Sequence, residues 1–106
     1  MPSKRLTAKR VHYDVSDTLI TWGRCVRTQR VRQKLVARDL SQRIGISEPT
    51  LRRLEKGDPG VAASVYLSAL LTLGVFHEAI HPLAPALYDA NAAARARVSK
   101  DDPGYF

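Results

Sequence analysis

From Leu19 onward, apolar residues recur at three- and four-residue steps rather than alternating, so the chain reads as a succession of short helices. Leu19, Trp22, Val26 and either Gln29 or Arg30 fall on one side of a first helix, which Asp17 or Thr18 can cap and which runs to about Lys34. Its outer side is almost wholly basic and polar. Leu35 starts a second helix or the bend before it. Leu40 and Ile44 then face inward, and Ser41 is the small residue that lets two crossing helices approach. Leu51 and Leu54 are the inward positions of a third helix. Gly57-Asp58-Pro59-Gly60 is a strong break. Beyond it, Val61 to Leu73 reads as a fourth helix burying Val65 or Tyr66, Leu67, Leu70, Leu71 and Leu73, and ended by Gly74. A short fifth helix from Phe76 to Ile80 stops at Pro82. The expected architecture is all-α: an arm over residues 1–17, a five-helix domain over 18–82 and an extension over 83–106. In that extension Leu83, Leu87, Tyr88 and an Ala/Arg stretch to Val98 can continue as helix.

The connection between the second and third helices is the most specific local signal. Gly45 can end a helix in the left-handed conformation that other residues take only at a steric cost, and Ser47 can accept a bond from amides opening the next helix. The third helix is therefore expected to start at Glu48. Residues 39–55 have the spacing of a DNA-binding helix-turn-helix.

Charge strengthens that reading. The 106 residues suit a single domain with tails and carry a formal charge of +7. Between Arg24 and Lys56 lie ten bases (Arg24, Arg27, Arg30, Arg32, Lys34, Arg38, Arg43, Arg52, Arg53 and Lys56) against three acids (Asp39, Glu48 and Glu55). The flanks nearly cancel, with four bases in the arm (Lys4, Arg5, Lys9 and Arg10) set against Asp14 and Asp17. A basic patch that coincides with a helix-turn-helix points to a polyphosphate partner, because each neutralised phosphate releases condensed counterion. The competing reading is a face kept soluble by its charge. The run from Val61 to Phe76 is too short to span a bilayer, and Ser64, Ser68 and Thr72 make a polar stripe along it. No secretory signal is visible, so the cytoplasm is the expected compartment.

One stretch competes for a different chemistry. His77-Glu78-Ala79-Ile80-His81 matches H-E-x-x-H, the spacing that sets two zinc ligands on one helix face with a general base between them. Its context opposes a zinc-peptidase reading: Pro82 disfavours helical geometry at His81, and no later His supplies a third ligand. Cys25 cannot form an internal disulfide and reads as a small filler, and His12 has no assignable role. No catalytic residue, metal or cofactor is expected.

The segments Trp22-Gly23-Arg24, Leu40 through Ser47, Thr50-Leu51 and Leu54-Glu55-Lys56-Gly57-Asp58-Pro59, followed by Tyr66, Leu70-Leu71 and Leu73-Gly74-Val75, resemble the phage-repressor-like XRE helix-turn-helix regulators. They resemble most the HipB-like antitoxins encoded beside HipA-type kinase toxins, in which a Gly-Asp-Pro turn follows the recognition helix. The resemblance runs from Leu19 to Ile80 and implies a five-helix lambda-repressor-like fold. It also implies that Glu48, Pro49, Arg52 and Arg53 face the major groove and that Arg30 and Glu55 form a bracing ion pair. Arginine can fork onto guanine and Glu48 can accept from cytosine, although Glu48 also stands one turn before Arg52 and can pair with it. Ser47, Thr50, Arg38 and Lys56 are cast as backbone positioners. Departures from the family pattern are Val36 and Ala62 at usual capping positions, and Ala37 where a Gln commonly makes a contact. The implied function is a homodimeric repressor on a palindromic operator, its recognition helices about 34 Å apart, which also acts as antitoxin toward a HipA-like kinase. The alternative within the same resemblance is a protein-binding inhibitor with little DNA role.

Overall fold

A computed structural model describes residues 11–92, 94 and 95. The periodic stretches fold as α1 (Tyr13–Arg32), α2 (Ala37–Ile44), α3 (Glu48–Glu55), α4 (Ala63–Thr72) and α5 (Phe76–Ala79), followed by a 3-10 turn at Pro85–Leu87. No strand occurs among the described residues, so the all-α expectation holds at that level. None of their helices is long and apolar enough to cross a membrane.

α1 begins inside the segment expected to be an arm. Its cap is not Asp17 or Thr18 but His12, whose Nδ1 accepts the amide of Asp14 at 3.0 Å. Asp14 then lies in the first turn, where a carboxylate complements the helix dipole. Thr18 is interior to the helix and donates its hydroxyl to the Asp14 carbonyl at 2.8 Å. The basic part of the arm at Lys4, Arg5, Lys9 and Arg10 lies outside the described residues. α1 also stops at Arg32, before Lys34, because Lys34 takes a left-handed φ of 59° and the Leu35 amide turns back to the Arg30 carbonyl at 3.0 Å. Leu35 therefore belongs to the bend.

Val26, Leu40, Leu51, Leu54, Tyr66, Ala69 and Leu70 are fully buried, with Val61 and Leu73 nearly so. Each such leucine contributes about 1.5–3 kcal/mol by leaving water. Ser41 is buried where α2 packs, and its hydroxyl is satisfied by the Arg38 carbonyl at 2.8 Å. In α4, Tyr66 rather than Val65 is the buried choice. Leu71, expected inside, is 61% exposed, because Tyr66, Ala69, Leu70 and Leu73 set the inward face and a residue one step from Leu70 turns about 100° away. Leu67 is half-buried. Val61 packs ahead of the helix rather than in it, and Ala62, the N-cap, offers no side-chain bond. Trp22 tilts over Tyr66 with ring centroids 6.1 Å apart. Gln33 Nε2 donates to the Leu73 carbonyl at 2.8 Å and ties the end of α1 to the end of α4.

Beyond α5 the chain leaves the core. Leu83, Leu87 and Tyr88 are exposed, and residues 81–89 carry only the 3-10 turn rather than a continuing helix. Helical geometry returns at residues 90–92, while Val98 and the chain after it lie outside the described residues.

Backbones approach closely at Gly23, where α1 crosses the end of α3. A Cβ there would collide with the carbonyl oxygen of Leu54 and lie 2.9 Å from that of Glu55. Backbone on one side and helix on the other leave nothing flexible to yield. Gly23→Ala is accordingly expected to destabilise the protein by about 1–3 kcal/mol, the usual cost of overpacking, read as a lowered urea midpoint.

Candidate nucleic-acid interface

α3 is delimited by the residues that the sequence singled out. Gly45 adopts φ 88°, and its amide and that of Ile46 both return to the Ser41 carbonyl, at 2.8 and 2.9 Å. Ile46 packs against the core, so the turn is pinned from below. Ser47 Oγ accepts the Thr50 amide at 3.2 Å and donates to Thr50 Oγ1 at 2.9 Å. Pro49 occupies the first turn, where its missing N–H has no intrahelical acceptor to lose. Leu51 and Leu54 anchor the inner side. Pro49 and Arg52 lie exposed on the outer side, Arg53 half-buried beside them, and Lys56 exposed at the C-cap.

What holds this helix at its far end is Glu55. Arg30 donates from Nε to Glu55 Oε2 at 2.7 Å, from Nη2 to Oε1 at 3.2 Å, and from Nη1 to the Leu35 carbonyl at 3.1 Å. The side chains are 13% and 6% exposed, so the pair is largely withdrawn from water. The bond to Glu55 pushes the Arg30 pKa further up. Arg27 approaches the same carboxylate at 3.9 Å from the solvent side. The ion pair implied by the family resemblance is thus formed, with an additional carbonyl contact.

The expected contact residues differ in what they already bond to. Arg52 is 65% exposed and meets Glu48 at 3.3 Å, the i,i+4 pairing that competes with base contact by Glu48. Arg53 is turned toward the loop after α3, where its Nε donates to Asp58 Oδ2 at 2.8 Å with both side chains one-third exposed. Ser47 and Thr50 bond to each other as a cap, while Lys56 and Arg38 are exposed, the latter apart from α3 in the first turn of α2. Asp58 and Tyr66 join the site without any sequence signal for it. Asp58 Oδ1 accepts the Gly60 amide at 2.7 Å and its carbonyl accepts the Tyr66 hydroxyl at 2.8 Å. An Asp before Pro-Gly is a turn signal, but nothing local points from it to Arg53. α2, as expected from Val36, has no side-chain cap.

The histidine motif does not assemble. α5 ends at Ala79 and Ile80 is extended (φ −117°, ψ 110°), so His77 and His81 do not share a helix face. Among the described residues no group of three or more His, Cys, Asp or Glu side chains gathers to hold a metal. Cys25 packs against the core, and burial, reinforced by the negative charge of Glu78, pushes its thiol pKa up, which suits a filler rather than a nucleophile. Comparison with protein-family models, curated proteins and solved structures finds no significant match.

Two outcomes follow from the bonds around α3. Glu55→Ala leaves the Arg30 guanidinium buried without its carboxylate and is expected to cost roughly 3–5 kcal/mol in equilibrium unfolding. Tyr66 is the second. Burial, with the charge of Asp58 added, pushes its hydroxyl up to about 12, only partly offset by Arg53. The folded-state value is raised, so this stabilisation is complete below the ordinary tyrosine value and is lost as pH rises through the folded one. Comparing urea unfolding at about pH 9 and about pH 11.5 should show a loss of up to about 2 kcal/mol in the wild type that Tyr66→Phe lacks.

Proposed function

We propose that the chain is a DNA-binding regulator of the phage-repressor-like XRE type, in which α2 and α3 form the helix-turn-helix and α3 enters the major groove. The observation that carries this reading is the outer side formed by Pro49, Arg52 and Arg53, with Lys56 at the C-cap, on a helix whose inner side is fixed by Leu51, Leu54 and Glu55. That side lies in the stretch holding ten of the chain's 17 basic residues. A helix of eight residues presents about two turns, enough for side chains one turn apart to reach neighbouring base pairs. Its short length and the two-fold character of such operators make a homodimer on a palindrome the working form.

A second role is favoured by a separate feature. Leu83, Leu87 and Tyr88 are exposed, and the first half of α1 carries a shallow apolar recess of about 310 Å³ lined by Asp14, Val15, Thr18, Leu19 and Trp22. Apolar surface of this kind suits a protein partner, and by family resemblance that partner is a HipA-like kinase held by this chain as its antitoxin. Retention of such a kinase through a high-salt wash supports this role, and loss of all association at high salt opposes it.

The DNA-binding role is tested by fluorescence anisotropy with the chain's own promoter duplex across a salt series. Wild-type affinity should fall steeply with salt, and Arg52→Ala should weaken binding by about 1–3 kcal/mol while leaving the melting curve in place. Equal, weak affinity for all duplexes, unchanged in Arg52→Ala, would overturn the reading.

A further inference from the structure

Building on the DNA-binding reading, we infer that Asp58 positions Arg53 for reading guanine, so that the turn after α3 shares with α3 itself the setting of sequence preference.

The two arginines of α3 are held in different ways. Arg52 pairs with Glu48 of its own helix at 3.3 Å and is well exposed, so it can swing to a phosphate with little resistance. Arg53 is tied across a chain reversal. Its Nε donates to Asp58 Oδ2 at 2.8 Å, and its carbonyl accepts the Asp58 amide at 3.0 Å. Asp58 is itself fixed at two further atoms, through Oδ1 to the Gly60 amide at 2.7 Å and through its carbonyl to the hydroxyl of Tyr66, a fully buried core residue. The core therefore dictates where the carboxylate stands, and the carboxylate dictates where Nε points.

Two consequences follow for recognition. An arginine held at Nε keeps the terminal Nη pair at the far end of its planar fork, and two parallel donors are what the O6 and N7 acceptors of guanine require. The paired carboxylate also offsets part of the charge of Arg53, which weakens its attraction to any phosphate and makes the contact depend more on geometry. Arg53 thus supplies discrimination, and the unpaired bases around it supply affinity.

The test selects preferred sequences from a random duplex pool with the full chain, Asp58→Asn, Arg53→Ala and the double variant, and then measures affinity for the selected and a scrambled duplex across salt. Wild type should prefer guanine at one position in each half-site. Asp58→Asn should lose about tenfold of that preference at the same position that Arg53→Ala affects, while binding scrambled duplex as tightly as wild type or more so. The double variant should match Arg53→Ala. Asp58→Asn keeping the guanine preference, or changing a position that Arg53→Ala does not, overturns the inference while the DNA-binding reading stands. Wild type preferring no duplex overturns both. A second measurement needs no variant: the Arg53 Nε–H should be protected from solvent exchange, by nitrogen-15 NMR, both free and on the selected duplex. Rapid exchange in the complex counts against Asp58 as the positioning group.

Discussion

Arg30 donates to both oxygens of Glu55 and to the carbonyl of Leu35, so one planar group fixes the end of α1, the bend into α2 and the last turn of α3 relative to one another. Hydrophobic contact alone is a poor substitute in so small a protein. Leu51 and Leu54 can hold α3 against the core at many small rotations, because apolar packing is non-directional. A bidentate guanidinium–carboxylate pair admits few orientations, and at this burial a misaligned one leaves a charge unpaired. Gly23 serves the same purpose sterically. It lets α1 lie against the Leu54 and Glu55 carbonyls, close enough for Arg30, two turns further along α1, to reach the carboxylate.

With its far end fixed by Glu55 and its near end by Ser47, α3 carries its charges as a set held from both ends. The three acids beside them are each engaged: Glu55 by Arg30, Glu48 by Arg52 and Asp58 by Arg53. Arg24, Arg32, Lys34, Arg38, Arg43 and Lys56 make no ion pair among the described residues. The positive field around the α2–α3 segment therefore comes from bases outside the paired set, while the paired ones are oriented by their acids.

How much of this could be read in advance depended on whether the determinant was local. Gly45 and Ser47 act within one turn of their own positions, and they placed the start of α3 at Glu48. The Arg30–Glu55 brace spans 25 residues and was foreseen only through family resemblance. An imidazole is not among the usual capping groups, so the sequence places the start of α1 at Asp17 or Thr18 rather than after His12. Leu71 was misplaced because a helix of leucines and alanines carries several apolar phases, and only packing against α1 and α2 selects one. The Arg53–Asp58 contact crosses a helix end, where spacing rules along a helix no longer apply. Leu83, Leu87 and Tyr88 read in sequence as a continuing helix, and nothing in their pattern reveals that the described chain leaves them exposed around a single 3-10 turn.

The two arginine–acid pairs of α3 also differ in what it takes to open them. Glu48 and Arg52 share one helix surface, and exposed pairs of that geometry are worth about 0.3–0.5 kcal/mol, further reduced by salt. An anion at Arg52 would displace Glu48 at little cost, and the released carboxylate would remain at the helix N-terminus, where the dipole still favours it. Asp58 has no such alternative, since moving it also breaks bonds to the Gly60 amide and the Tyr66 hydroxyl. Within a single helix, one arginine is therefore free to follow a partner and its neighbour is not. This division, in which Tyr66 anchors the turn and Glu48 yields, follows from where each acid sits in the fold and not from the chemistry of the arginines, which is identical.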